Sequence, residues 1–339
     1  MKIAISLLAL LVAMTCGAPK LIETNPENIK TAEPGGPEGL KAKIEPKVSI
    51  DGFTSAKNIE SIMSFLASDE LKGRDSGSEG IEIAAKYIEK HFAENDIQPY
   101  FTSYRDTLSN FEKTSYNIVG LLQGNDPILK DEYIVIGAHY DHIGIIKEEN
   151  GDAIANGAND NASGTTSVME IARYFAKHKI NKRSLIFALF SAEEKGLLGS
   201  RHLAKKLKEQ QLNLYTMLNF EMIGVPLKGR DYDLYVTGYE MSNLAEVSNK
   251  YAGEKLIGFL PTAKEYNLFQ RSDNYDFYKE FKVPSHTYCT FDFTNFNHYH
   301  KVGDELELMD FNHMANMINK LLPVLEGISN APTQEVILN

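Results

Sequence analysis

Two adjacent glutamates, Glu193 and Glu194, follow an apolar run that extends from Ser184 to Ala192. A run of this length and composition is typical of a buried strand, and two anionic side chains at its end are costly unless a cationic group compensates them. Consecutive residues at the end of a strand point in different directions. One carboxylate can therefore bind a metal ion while its neighbour faces a substrate, as a hydrolytic metal site requires.

The composition of the 339 residues is that of a globular protein, with 43% hydrophobic and 24% charged residues. This length suits one large domain or two small ones. The formal net charge of -11 argues against nucleic-acid binding, because a nucleic-acid binder presents a basic face. The composition selects no other partner and leaves the oligomeric state open.

The first 17 residues have the order of a secretory signal. Lys2 precedes an apolar segment (residues 3–14) that is too short to span a bilayer comfortably, and small residues follow it. We therefore expect residues 1–17 to be a signal peptide and the protein to be exported. Cys16 stands where a bacterial lipoprotein signal has its acceptor cysteine, so free secretion and a lipid anchor both remain open. A lipid on Cys16 is the only membrane contact that we expect.

Residues 18–46 are rich in Pro, Gly, Lys and Glu without periodicity, which predicts a flexible tether. Beyond it, the patterns of strands and helices alternate. Such alternation predicts an α/β domain of three layers, in which helices cover both faces of a central mixed, mostly parallel sheet. We assign this domain to residues 47–330. Cys289 is predicted to be a small core residue without a disulfide partner.

Polar residues lie repeatedly at the predicted strand ends, where open α/β sheets bind their ligands. His139 ends a strand, and Asp141 follows two residues later, a spacing that suits a metal-binding imidazole held by a carboxylate. His142 is a nearby alternative, but it lacks a carboxylate at that spacing. Glu221 ends a later strand.

Two loops add further donors. Asp160 could bridge two cations with its two oxygens, although the local sequence favours a helix cap at Asp160 or Asn161. His300 precedes Asp304 by four residues, and Asp304 could hold that imidazole; His298 is the alternative there. The combined set of imidazoles and carboxylates suits zinc.

The chain resembles the co-catalytic di-zinc aminopeptidases of clan MH, leucyl-aminopeptidase-like metallopeptidases related to glutaminyl cyclases and glutamate carboxypeptidases. The similarity extends from about residue 55 to residue 327, and it implies the zinc-exopeptidase fold. Five motifs carry it in the family's order: Gly-Ala-His-Tyr-Asp at 137–141, Ala-Asn-Asp-Asn-Ala-Ser-Gly at 158–164, Ala-Glu-Glu-Lys-Gly-Leu-Leu-Gly-Ser at 192–200, Asn-Phe-Glu-Met-Ile-Gly at 219–224 and His-Lys-Val-Gly-Asp at 300–304.

The resemblance implies a set of metal ligands for two Zn²⁺ ions per chain. Asp160 would bridge the two ions. His139 and Glu221 would complete one site, and Glu194 and His300 would complete the other.

The resemblance also implies that Glu193 is the general base and that Asp141 supports the first histidine. It implies a cis peptide bond after the bridging aspartate, and it places Met222 in the pocket for the first side chain of the substrate. One position departs from the family pattern, because Glu221 stands where aspartate is usual. Its oxygen must fold back, or the backbone must retreat, to accommodate the extra methylene.

The expected reaction is hydrolysis of the N-terminal residue from peptides with a free N-terminus, by a metal-activated water. Three alternatives remain open. A glutaminyl cyclase uses the same scaffold with one zinc ion. A carboxypeptidase for acidic dipeptides needs a basic pocket, for which Arg271 is available. An inactive binding protein would typically have lost ligands, whereas every ligand position here holds a donor.

Overall fold

A computed structural model of the chain describes residues 52–339. The predicted signal peptide (1–17), Cys16 and the predicted tether (18–46) lie outside the described residues. Within residues 52–339, none of the helices combines the length and the apolar character that crossing a bilayer would need.

The centre of the described chain is a β-sheet. Most of its strands have the β-branched and aromatic residues that fit a pleated, buried surface. In chain order, the strands of residues 52–339 are β1 (Gln98–Pro99), β2 (Arg105–Thr107), β3 (Tyr116–Leu122), β4 (Tyr133–His139), β5 (Gly144–Glu149), β6 (Asp152–Ala155), β7 (Ser184–Phe190), β8 (Leu214–Glu221), β9 (Leu234–Val236), β10 (Ile257–Gly258) and β11 (Ser285–Cys289).

The main sheet has nine strands in the order β1-β3-β7-β4-β8-β11-β9-β10, with β2 beside β3. Strands β7, β4, β8 and β11 are parallel to one another, and β3 and β9 flank them in the antiparallel direction. Strands β5 and β6 form a separate hairpin. The predicted mixed sheet with a parallel centre is confirmed.

Helices cover both faces of this sheet. The helices α1, α2, α3 and α8 pack on one face, and α4 and α7 pack on the other. Their bounds, with those of the two remaining helices, are α1 (Ala56–Leu66), α2 (Glu79–Glu94), α3 (Gly164–His178), α4 (Leu198–Glu209), α5 (Leu244–Ala252), α6 (Pro261–Glu265), α7 (Asn274–Phe281) and α8 (Phe311–Asn330).

Strand β7 shows why the apolar run before the two glutamates is continuous. Leu185 and Phe187 pack into the core on the α3 face, whereas Ile186 and Ala188 pack into the core on the α4 face. A strand that is buried on both faces needs an apolar residue at every position. Each large side chain of this kind contributes about 1.5–3 kcal/mol relative to an exposed one.

The parallel strands bring their carboxyl ends to one edge of the sheet. His139 at the end of β4 pairs in register with Phe190 at the end of β7. Glu221 at the end of β8 pairs with Cys289 at the end of β11. Cys289 is buried and has no disulfide partner, and burial raises the pKa of its thiol to about 12. This edge carries the polar cluster described below.

The described chain continues beyond residue 330 as an extended segment along the domain. The amide of Val336, which is buried, donates to the hydroxyl of Tyr215 at 2.8 Å. Leu338 forms a β-bridge with Ser242. The segment 331–339 therefore packs against the domain that we assigned to residues 47–330.

His286 is a buried histidine of β11 whose neutral form is favoured. Its ring nitrogens lie 2.7 Å from the hydroxyl of Ser242 and 2.7 Å from the carbonyl of Thr237. Burial lowers its pKa from 6.5 to about 4. Because the pKa is lower in the folded state, this group stabilises the fold above pH 6.5, and the stabilisation is lost as the pH falls from 6.5 towards 4.

We expect this histidine alone to remove about 2 kcal/mol of folding stability from the metal-free protein between about pH 8 and about pH 5. The His286→Gln variant lacks the titrating group, so its stability should fall less over the same interval. Urea unfolding of both metal-free proteins at the two pH values measures the difference. An equal loss in the two proteins would contradict the assignment.

Candidate metal centre

Asp160 lies at the centre of the polar cluster. Its Oδ1 is 3.3 Å from Nε2 of His139, and its Oδ2 is 3.2 Å from Nε2 of His300. The peptide bond between Asp160 and Asn161 is cis. The two oxygens of one buried carboxylate therefore face two different imidazoles, as a bridging ligand would require.

The helix cap and the contact with the imidazoles belong to different residues of this loop. Oδ1 of Asn161 accepts hydrogen bonds from the amides of Gly164, at the start of α3, and Met222, at 2.9 and 3.1 Å. The carboxylate of Asp160 is consequently not needed as a cap. Asn161 therefore provides the cap that the local sequence favours, and the carboxylate of Asp160 faces the imidazoles.

Asp304 does not hold His300, and the structure corrects that expectation. Its two carboxylate oxygens accept hydrogen bonds from the amides of Asn159 and Asp160, at 2.7 and 2.9 Å. Asp304 therefore fixes the backbone of the loop that carries the central aspartate. The alternative residue, His298, packs against the ring of Phe296 with a centroid distance of 5.5 Å.

Glu194 contacts two histidines through its two oxygens. Oε2 lies 3.1 Å from Nε2 of His300, and Oε1 lies 2.9 Å from Nδ1 of His142. The sequence analysis treated His142 as an alternative to His139, but the structure brings both imidazoles into the cluster. Ligand atoms of His142, Asp160 and Glu194 lie within 4.8 Å of one another. In the sequence, the short distance between His139 and His142 is the feature that could have indicated that both belong to the site.

The chain turns between the end of strand β7 and the two glutamates. Strand β7 ends at Phe190, two residues before the predicted end, and Ala192 has a positive φ of 57°. The amide of Glu193 donates to Oδ1 of Asp141 at 3.1 Å. The carboxylate of Glu194 thus contacts two histidines, whereas Glu193 is held through its backbone.

Asp141 supports two residues of the site. Nδ1 of His139 lies 3.2 Å from the main-chain carbonyl of Asp141 and 3.8 Å from its carboxylate. The carboxylate itself accepts the amide of Glu193 and, at 3.0 Å, the hydroxyl of Ser76. Asp141 thus supports the first histidine mainly through its backbone and fixes Glu193 through its side chain.

Glu221 is held at the end of β8 by a residue that the sequence analysis did not identify. The hydroxyl of Ser272 donates a hydrogen bond to Oε2 of Glu221, and its oxygen in turn accepts one from the side-chain Nδ2 of Asn219 at 2.8 Å. Asp273, which is also buried, follows directly. Without knowledge of the fold, no pattern in the sequence marks Ser272 and Asp273 as part of a site.

The electrostatics of the cluster divide the carboxylates into two groups. Burial raises the pKa of Glu221 to about 7 and that of Asp273 to about 8. Burial and the charges of Glu221 and Asp273 hold the pKa of Glu193 well above its usual range, against the opposing charge of a histidine. The histidine contacts outweigh burial at Asp160 and Glu194, whose pKa values lie below their usual range.

The histidines show the reciprocal effect. Burial would lower the pKa of His300, but its contacts with Asp160 and Glu194 raise it to about 10. Burial also opposes the shift at His139, whose pKa is nevertheless held well above its usual range by Glu193 and Asp160. The site thus contains more negative charge than its own groups neutralise, and it favours bound cations.

Arg74 is a buried cation that ties the site loops together. Its guanidinium donates to the carbonyls of Tyr140, Asn156 and Gly157 at 2.8, 2.6 and 3.0 Å, and also to the carbonyl of Leu66. Burial lowers its pKa to about 10, while the site carboxylates oppose that change. Arg74 therefore joins the end of β4 to the loop before Asp160.

The chemistry of the donors fits zinc. Imidazole nitrogens and carboxylate oxygens are ligands that Zn²⁺ accepts. Within residues 52–339, Nε2 of His139 is buried and has no hydrogen-bond partner, although it faces Asp160. An imidazole nitrogen in that state is available to a metal ion, because the other ring nitrogen already has a carbonyl neighbour.

A cavity opens beside Glu221. Its wall is mainly apolar and aromatic, with Arg271 as the cationic residue and Glu221 as the anionic one. The lining residues are Glu221, Met222, Tyr235, Thr237, Leu268, Arg271, Ser272, Thr287, Cys289, Phe291, Phe293 and Tyr299. Met222 thus lies beside Glu221 in the wall of this cavity.

The chain is similar to known proteins in sequence and in structure. The model of Peptidase family M28 matches residues 117–325. A probable zinc metalloprotease of Pyrenophora teres f. teres is 34% identical over 185 residues, which are 50% of this chain and 37% of that protein. The chain therefore spans little more than a third of the length of this relative.

Two solved structures share the fold. A zinc aminopeptidase from Bacillus subtilis has a TM-score of 0.64 at 17% identity, over 84% of this chain and 98% of that one. Porphyromonas gingivalis glutaminyl cyclase has a TM-score of 0.62 at 16% identity, over 81% of this chain and 98% of that one.

The positions of the two adjacent glutamates predict different effects on metal binding. Glu194→Ala removes a carboxylate that faces His300, so its zinc content should fall well below that of the wild type. Glu193→Gln keeps the shape of a residue whose backbone is fixed by Asp141, so zinc content should stay near the wild-type value. Atomic absorption of dialysed proteins measures both. Equal zinc loss in the two variants would contradict these roles.

Proposed function

Because the chain belongs to peptidase family M28, we propose that it is a zinc-dependent aminopeptidase that removes the N-terminal residue from peptides. The observation that carries the proposal is the position of Asp160, whose two oxygens face His139 and His300. We propose two zinc ions per chain. His139 and Glu221 would hold one, Glu194 and His300 would hold the other, and Asp160 would bridge them.

Zinc at this site would polarise the scissile carbonyl and lower the pKa of a water molecule. Glu193 would act as the general base, and burial raises the pKa of its carboxyl above the usual range, which makes the carboxylate a stronger base. Asp141 fixes the backbone of Glu193. Glu193 would then deliver the proton to the leaving amine.

The surroundings of the cavity favour a substrate with a free N-terminus. Glu221 lies in the cavity wall, and its carboxyl oxygens would accept a hydrogen bond from the ammonium group of a peptide. The largely apolar wall would accept the first side chain. Arg271 is a single cation in that wall, which is a weak match to the basic pocket that an acidic-dipeptide carboxypeptidase needs.

The remaining alternatives make different demands on the site. A glutaminyl cyclase uses one zinc ion, whereas the two oxygens of Asp160 here face two different imidazoles, those of His139 and His300. An inactive binding protein would not need to keep a donor at every ligand position, as this chain does. Both observations support the aminopeptidase, and the number of bound zinc ions separates it from the cyclase.

We also propose that residues 1–17 direct export, with or without a lipid on Cys16. The order of charge, apolar segment and small residues motivates this proposal. Mass spectrometry of the mature protein from its native host would test it. A protein that retains Met1 and remains in the cytoplasm would contradict it.

The activity is tested with a panel of aminoacyl p-nitroanilides, including leucyl, lysyl and glutamyl substrates, and with their N-acetylated forms. We expect the zinc-loaded protein to cleave substrates with a free amine and to leave the blocked forms intact. A chelator should abolish the activity, and added Zn²⁺ should restore it. Cleavage of blocked substrates alone, or cyclisation of N-terminal glutamine without hydrolysis, would contradict the proposal.

Glu193→Gln gives a sharper version of this test. A general base contributes about 10²–10⁴-fold to the rate, so kcat of the variant should fall by at least about 100-fold. Its zinc content should remain near wild type. Glu265→Gln, at the end of α6, is a control for the removal of a carboxylate elsewhere on the surface and should keep full activity. Wild-type kcat in Glu193→Gln would exclude Glu193 as the base.

A further inference from the structure

We infer that His142 positions Glu194 by donating a hydrogen bond from Nδ1 to Oε1, so that only Oε2 of Glu194 faces the metal. This inference rests on the proposed function for the identity of the metal site. It adds a residue that the motifs of the resemblance do not assign. Its evidence is the geometry of one imidazole and one carboxylate.

The contact between His142 and Glu194 has the length of a hydrogen bond. Nδ1 of His142 is 2.9 Å from Oε1 of Glu194, in the middle of the range for N–H···O bonds. The ligand atoms of a tetrahedral zinc ion lie about 3.4 Å apart, because each is about 2.1 Å from the metal. The contacts of His300 with Glu194 and Asp160, at 3.1 and 3.2 Å, are closer to that spacing.

The other ring nitrogen also favours donation over ligation. Nε2 of His142 is buried and lacks a hydrogen-bond partner among residues 52–339. A histidine that binds a metal through Nδ1 carries its proton on Nε2, and that N–H normally needs an acceptor. His139 shows the usual arrangement, since its Nδ1 has the carbonyl of Asp141 at 3.2 Å. If the proton of His142 is instead on Nδ1, Nε2 carries a lone pair and acts only as an acceptor. Buried acceptors without a partner are less rare than buried donors without one.

The ring of His142 has little freedom to move. The side chain is fully buried, and its amide donates to the carbonyl of Arg74 at 3.3 Å. Gly157 lies against the ring, with a positive φ of 59°, and a Cβ at that position would approach Cδ2 of His142 to 2.5 Å. The packing therefore fixes the imidazole before any metal binds.

The consequence concerns the coordination of Glu194. A carboxylate with both oxygens free can bind a metal with either or both. The hydrogen bond to His142 occupies Oε1 and leaves Oε2 beside His300 and Asp160. Glu194 would thus bind as a monodentate ligand of fixed orientation, which preserves room for water and substrate.

The test compares two substitutions of His142 in the full mature chain. The amide nitrogen of asparagine is as many bonds from the backbone as Nδ1 of histidine and is also a donor, but an amide is a poor zinc ligand. His142→Asn should bind both zinc ions with affinities within about threefold of wild type, whereas His142→Ala should lose about 10- to 100-fold at one site. Titration of the metal-free proteins with Zn²⁺ against a competing chelator gives both affinities.

A matched control is provided by His91, a half-buried histidine of α2 whose Nε2 contacts the carbonyl of Met169. His91→Ala should bind zinc as the wild type does. If His142→Asn loses as much affinity as His142→Ala, the imidazole itself is a ligand and the inference is overturned. It is equally overturned if His142→Ala binds both zinc ions normally.

A measurement on the unaltered protein does not depend on how the variants fold. X-ray absorption of the zinc-loaded chain should count about one imidazole per zinc if only His139 and His300 are ligands, and about 1.5 if His142 joins them. The higher count would overturn the inference. A wild-type protein that binds zinc but cleaves no peptide would refute the proposed function while these metal measurements still decide the role of His142.

Discussion

The concentration of negative charge at one edge of the sheet is the constraint on which the rest of the site depends. Asp160, Glu194 and Glu221 converge there with the partly buried Glu193, and water cannot solvate them fully. Isolated buried carboxylates would be protonated or would not be tolerated. Histidines on both sides of Asp160 and the buried Arg74 offset part of this charge. The remainder favours metal cations, and it ties the stability of the site to metal binding.

The sequence predicted the parts of this site that periodicity and strand ends reveal. The apolar run before Glu193 marks a strand that is buried on both faces, and the alternation of strands with helices predicts parallel neighbours. Together these place His139, Glu193 and Glu221 at one edge of the sheet. The ligand roles came from the family resemblance, because a single histidine or aspartate in a loop has several common explanations.

The contacts that the sequence analysis missed join distant segments of the chain. Asp304 holds amides that lie about 145 positions earlier in the chain, and Ser272 reaches Glu221 from a different loop. Neither contact follows from local spacing, since each depends on how two loops meet in space. Asp304 is instructive because the motif identified the residue correctly as important but suggested the wrong partner. Its two carboxylate oxygens accept hydrogen bonds from two successive backbone amides, those of Asn159 and Asp160.

The parallel register of β4 and β7 explains why Asp141 and His142 contact the two adjacent glutamates, Glu193 and Glu194. His139 pairs with Phe190, and the amide of Tyr140 donates to the carbonyl of Phe190 at 2.9 Å. The segments that follow the two strands therefore leave the sheet side by side. Consecutive residues of one segment then contact consecutive residues of the other.

Asp141 holds the backbone of Glu193, and His142 contacts the carboxylate of Glu194. These two contacts differ in kind, because one fixes a main chain and leaves its side chain free, whereas the other fixes a side chain directly. A general base must exchange protons and so needs a free carboxylate on a fixed backbone. A metal ligand needs a fixed carboxylate. The different neighbours of the two adjacent glutamates thus match the two different roles that we propose for them.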